Sequence, residues 1–139
     1  MEKMRLVVDA NALFAVLVRD LKSAEIILNA MLELHAPSHL LDEFAKHREE
    51  LLEKTRRSEQ DFFETMELLK RRIEFHDWEA TIPFAEKARE ISPDESDWPY
   101  FALALKLGAG LWSNDKKLKK QGQIKVWTTG ELIDLLKTQ

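Results

Sequence analysis

Four acidic residues of this chain stand where a fold can bring their carboxylates together. Asp9 follows directly on the apolar run Leu6-Val7-Val8, and Asp115 follows Leu111-Trp112-Ser113-Asn114. Asp97 opens a helical stretch, and Glu43 lies in the first or second turn of another. Carboxylates held close together repel, which forces their protonation upward. A hard divalent cation relieves that repulsion, and an all-oxygen donor set suits Mg2+ or Mn2+. Such ions activate water and neutralise charge on a phosphodiester undergoing in-line displacement. Each acid also has a local reading. Asp9 and Asp115 sit where an Asp commonly caps a helix. Asp97 near a helix N-terminus complements the dipole. Glu43 in a charged helix reads as solvated surface. A shared site requires all four to reach one edge of one sheet.

The elements that must do this alternate along the chain. Short apolar runs predict strands at 6–8, 34–36, 73–76, 111–113 and 124–127. Helical periodicity is expected over 12–18, 23–32, 39–57, 81–91 and a stretch from Asp97 to Leu107 closed by Gly108. Ser58 is the expected N-cap of a further helix running to about residue 71. Ser96 is the expected N-cap of the helix that carries Asp97, with Pro99 tolerable in its first turn. Thr128-Thr129-Gly130-Glu131 matches a capping box before a final amphipathic helix. Strands separated by helices imply an α/β fold whose mainly parallel sheet of about five strands is covered on both faces. In such sheets, sites form outside the carboxyl ends of the strands. Asp9 and Asp115 are expected at that edge.

Composition narrows the field of functions. A length of 139 residues fits one domain, 1–139. With 0 Cys, disulfides, thiolate zinc sites and cysteine catalysis are excluded. Lys+Arg 21 against Asp+Glu 25 gives a net charge of −4, so any nucleic-acid contact must rest on a local patch. Lys116, Lys117, Lys119 and Lys120 beside Asp115 form such a patch: either a phosphate-steering surface or a solvated helix. Arg56-Arg57 and Lys70-Arg71-Arg72 close helices and read as structural. His35, His39, His47 and His76 match no zinc-ligand spacing. No apolar run approaches the ~20 residues of a membrane span. The run ending at Asp9 is too short for a signal-peptide core, so a cytoplasmic protein is expected.

Taken in order, four segments resemble the PIN-domain family, which includes toxin ribonucleases of the VapC type. They are Val7-Val8-Asp9-Ala10-Asn11, then Ala36-Pro37-Ser38-His39-Leu40-Leu41-Asp42-Glu43-Phe44, then the run from Asp94 through Asp97 to Ala109, and Leu111-Trp112-Ser113-Asn114-Asp115-Lys116-Lys117-Leu118. The resemblance covers essentially the whole chain. It implies a three-layer α/β/α fold and a Mg2+- or Mn2+-dependent nuclease cutting single-stranded or structured RNA. It places metal and catalytic roles on Asp9, Glu43, Asp97 and Asp115. Asn11 matches the small polar residue after the first acid, and Ser113 the hydroxyl residue of the last motif. Asp94 matches the extra acid of an Asp-x-x-Asp variant, either a second-metal ligand or a helix cap. Many toxin members carry another acid where this chain has Leu118. The resemblance further implies a homodimer and, for a toxin, an antitoxin partner. The departure at Leu118 motivates the alternative of a catalytically silent module that binds RNA or protein. A third class, phosphotransfer with Asp9 as nucleophile, lacks the Lys or Thr expected after a later strand.

Overall fold

The structure is a computed structural model that describes residues 3–18 and 21–138. Its centre is a sheet of β1 (Met4–Val8), β2 (Leu32–Pro37), β3 (Ile73–His76), β4 (Gly110–Trp112) and β5 (Val126–Trp127). The spatial order is β3-β2-β1-β4-β5, and every neighbouring pair is parallel. The helices are α1 (Ala10–Leu17), α2 (Leu21–Leu28), α3 (His39–Lys46), α4 (Arg48–Thr55), α5 (Glu59–Arg72), α6 (Ala85–Ile91), α7 (Trp98–Leu107) and α8 (Thr129–Lys137).

The sequence of β1 explains the layering. Parallel strands with both faces covered read as continuous apolar runs rather than alternating ones. Leu6 and Val8 point into one core, shared with Leu13, Ile26, Leu40 and Leu69. Val7 points into the other, with Phe101, Leu103 and Leu111. The two cores are the two faces of an α/β/α sandwich. From β1 the chain moves outward through β2 to β3, then returns to the other side of β1 for β4 and β5. The order therefore reverses between β1 and β4, and the carboxyl ends of those strands flank the crevice where ligands bind in open α/β sheets.

Several boundaries differ from expectation for identifiable reasons. The helix expected over 23–32 stops at Leu28, because Leu32 already pairs with Met4 in the sheet. The helix expected over 39–57 is two. It breaks at His47, and Arg56 ends α4 in the left-handed region at φ 57°. The helix expected over 81–91 starts only at Ala85: its first four positions belong to a 3-10 stretch, Trp78–Phe84, which contains Pro83 and hands over to α6. Proline supplies no N–H for an α-helical bond. Ser96 caps nothing. Instead Asp94 Oδ1 accepts from the Ser96 N–H at 3.0 Å and the Ser96 hydroxyl at 2.8 Å, capping a 3-10 turn, Glu95–Asp97, ahead of α7. The lysine-rich stretch is likewise a five-residue 3-10 turn, Lys116–Lys120. Its lysines therefore face little of the dipole penalty of a full helix. The expected caps at Ser58 and at Thr128 with Glu131 do form.

Two arginines read as helix-closing have longer reach. Arg57 bonds the Leu17 and Val16 carbonyls at the end of α1, and Arg72 bonds the Ile27 and Asn29 carbonyls after α2. Each adds a charged donor to carbonyls at the C-terminal end of a helix distant in sequence. Among the described residues, no helix is long and apolar enough to cross a membrane.

Candidate active site

Asp9 leaves the end of β1 as the N-cap of α1, its Oδ1 accepting the Ala12 N–H at 3.1 Å. Capping satisfies an orphan donor of the helix. The same carboxylate also receives a hydrogen bond from the Ser113 hydroxyl. Only 5% of Asp9 is exposed. Burial, together with the charges of Asp97 and Asp115, pushes its carboxyl up from 3.8 to about 6, against the opposing pull of Ser113 and Ala12.

A short network fixes this geometry across the β1 and β4 ends. Asn11 Nδ2 donates to Ser113 Oγ at 3.5 Å, and the Asp115 N–H donates to the same oxygen at 3.1 Å. Asn11 Oδ1 accepts the Asn114 N–H at 3.2 Å, and Asn114 Oδ1 accepts the Thr129 N–H at 2.8 Å. The buried Ser113 hydroxyl thus spends its proton on Asp9 while accepting two donors, which is its full capacity. Asp115 caps the lysine-rich turn by accepting the Lys117 N–H at 3.0 Å.

Asp97 occupies the N-cap position of α7, yet its side chain makes no capping bond. It is half-buried, and burial plus the charges of Asp94 and Asp115 hold its carboxyl above the usual range. Asp94, by contrast, is held below that range by its bonds to Ser96, so its side chain is committed to its own turn.

The structure therefore brings Asp9, Asp97 and Asp115 within electrostatic reach of one another. Glu43 is exposed on α3, 3.6 Å from His47 Nε2, and lines a cleft of about 340 Å³ with Ala10, Leu40, His47 and Tyr100. It joins the other acids through Tyr100. That phenol is 6% exposed, accepts the Ala10 N–H, and has its acidity suppressed by burial and by Asp9, Asp97 and Glu43. Sequence reasoning missed Tyr100. Its position three residues after Asp97 on α7, hence on the same helix face, was the available signal.

The lysines divide. Lys117 lies close enough to act on Asp94, whereas Lys119 Nζ is bound to Glu131 at 2.5 Å. Leu118 between them is 1% exposed and packs in the core beneath α7. The position where many toxin members carry an acid is here a packing position.

A PIN-domain family model matches residues 7–137, nearly the whole chain. The chain belongs to the PIN-domain family. A solved structure of this fold, VapBC2 from Rickettsia felis bound to a DNA fragment from its promoter, contains a chain matching this PIN domain with a TM-score of 0.66. The match is at 16% identity and covers 90% of this chain and 98% of that one. No curated protein matches this PIN domain. Its five-stranded parallel sheet between two helical layers is the architecture the family resemblance implied.

Proposed function

We propose that this PIN domain, a single unit over 1–139, is a metal-dependent endoribonuclease whose Mg2+ or Mn2+ is held by Asp9, Glu43, Asp97 and Asp115. The observation that carries the reading is the meeting of Asp9, Asp97 and Asp115, from three distant segments, at the strand-order reversal. The donors fit the ion: all are oxygens, Asp9 is a buried carboxyl, and among the described residues the side chains acting on it are Ser113, Asp97 and Asp115, none of them cationic. When bound, such an ion supplies a polarised water and neutralises charge on the phosphate under attack.

The chain's own groups supply the rest. Ser113 and Asn11 hold Asp9 and the loop to Asp115 in one arrangement. Tyr100 remains a neutral phenol among three carboxylates, a fixed hydrogen-bond donor on that side of the site. Asp94 supports the turn that presents Asp97. Lys116, Lys117 and Lys120 are exposed beside Asp115 and meet RNA phosphates, and Lys119 joins them on leaving Glu131. The VapBC2 likeness supports a toxin role with an antitoxin partner, and the family resemblance supports a homodimer.

Incubation of purified protein with single-stranded RNA tests the proposal. Cleavage is expected with Mn2+ or Mg2+, is abolished by chelator, and is slowed by about a thousandfold in Asp97→Asn. Equal rates for Asp97→Asn and wild type would sink the assignment. The packed Leu118 favours a second reading, a silent RNA- or protein-binding module. RNA retention without cleavage in either metal would select it.

A further inference from the structure

Outside the acid edge, the pairing of β2 with β3 creates a second cluster. His35 lies opposite Glu74, and Pro37 opposite His76. Alternation along each strand puts Glu33 with His35 and Glu74 with His76. His35 Nδ1 lies 2.9 Å from His76 Nε2 and 3.4 Å from Glu74 Oε2, and the last two atoms are 4.0 Å apart. Among the described residues, this is the set of three His, Asp or Glu side chains whose ligand atoms gather within 4.8 Å.

We propose that His35 Nδ1, Glu74 Oε2 and His76 Nε2 form a binding site for a borderline-soft transition-metal ion of the Zn2+ class. The triangle of donors carries the inference. A point about 2 Å from all three atoms exists, and that is the bond length Zn2+ takes to imidazole nitrogen and carboxylate oxygen. Two nitrogens and one oxygen select such an ion over Mg2+.

The surroundings complete the design. The other ring nitrogen of His35, Nε2, lies 3.0 Å from Glu33 Oε1. A proton on Nε2, donated to Glu33, leaves the Nδ1 lone pair facing the site, and a carboxylate behind a ligating histidine is the usual outer support of a metal site. Arg5 in turn bonds Glu33 at 3.4 Å. His35 is 3% exposed at its side chain and His76 14%, while Glu74, at 67%, opens the cluster to solvent. Burial and the neighbouring His35 hold His76 below the usual imidazole range, in the neutral form a metal needs. Lys106 on α7 is the nearby charge that opposes a cation. Without an ion, a proton shared between the two ring nitrogens accounts for their 2.9 Å separation. Bound, the ion takes that place, with the His76 proton on Nδ1. The ion ties edge strand β3 to β2.

Titration with Co2+, followed by visible absorption and displaced by Zn2+, tests this in wild type, His76→Gln, Glu74→Gln and Asp97→Asn. Wild type and Asp97→Asn are expected to give the same intense four- or five-coordinate spectrum at one ion per chain. His76→Gln and Glu74→Gln are each expected to weaken binding at least tenfold. Glu74, being exposed, decides the matter if His76→Gln does not fold. A spectrum lost in Asp97→Asn but kept in His76→Gln would move the ion to the acid edge and overturn the proposal. No spectrum at a hundredfold excess of Co2+ would overturn it too.

Discussion

At the carboxyl ends of β1 and β4 every donor is an oxygen and charge accumulates. At edge strand β3 two of three donors are imidazole nitrogens, and the carboxylate behind His35, Glu33, is already paired with Arg5. In the first region burial, and after it the charge of neighbouring acids, pushes Asp9 up to about 6 and raises Asp97. The second satisfies its own hydrogen bonds, with His35 bonded at both nitrogens. The contrast separates a site that a cation must complete from one that a cation merely replaces a proton in. It also separates the ions, hard and oxygen-seeking against borderline and nitrogen-seeking.

The largest consequence concerns catalysis. Asp97→Asn is expected to slow RNA cleavage by about a thousandfold, the scale of losing a main electrostatic element of a site. His76→Gln is expected to leave the rate within about twofold, since no histidine of the β3 cluster is among the groups acting on Asp9 or Asp97. Single-turnover rates of the two variants at saturating Mn2+ check this. Equal losses would merge the two regions into one site.

Stability gives the next contrast. A carboxyl raised from 3.8 to about 6 binds a proton more readily folded than unfolded, so metal-free stability falls as pH rises from about 4 to about 6. The full effect for Asp9 approaches about 3 kcal/mol at neutral pH. Asp9→Asn is therefore expected to melt several degrees higher than wild type at pH 7 without metal, and to lose that advantage at pH 4. Urea or thermal unfolding at the two pH values checks the sign. A destabilised Asp9→Asn at pH 7 would mean that the Ala12 and Ser113 bonds outweigh the burial cost.

Ser113→Ala removes the donor to Asp9 and the acceptor shared by Asn11 and Asp115. It is expected to cost about 1 kcal/mol and to raise the Asp9 carboxyl further. Carboxyl titration by carbon-detected NMR reads that shift. The smallest effect belongs to the rim. Lys116→Ala with Lys117→Ala is expected to lower the salt slope of RNA binding by about 1.4, at about 0.7 per lost single-strand phosphate contact, with little change in the cleavage step.

Much of this was legible in the sequence because it rests on local pattern. Leu6-Val7-Val8 ending at Asp9, Gly108 at positive φ, and the Thr128–Glu131 box each announce an element within a few residues. The parallel sheet follows from the alternation of such elements. Boundaries set by tertiary partners were not legible. Leu32 left its helix because Met4 recruits it, and Ser96 yielded the cap to Asp94. The acid edge was approached through strand ends, but Glu43 stands apart from the other three and reaches them through Tyr100. The histidine cluster was invisible by spacing. Its two histidines are 41 residues apart and meet only through the β2–β3 register, which no ligand-spacing pattern encodes.

The central claim, that Asp9, Glu43, Asp97 and Asp115 hold a divalent ion, is tested most directly by thermal unfolding with and without Mn2+. An ion that binds only the folded chain stabilises it by about 2.7 kcal/mol at a hundredfold excess over its Kd. The account predicts a rise of several degrees in wild type and in His76→Gln, and none in Asp97→Asn. An equal rise in Asp97→Asn, or none in wild type at millimolar Mn2+, would contradict it.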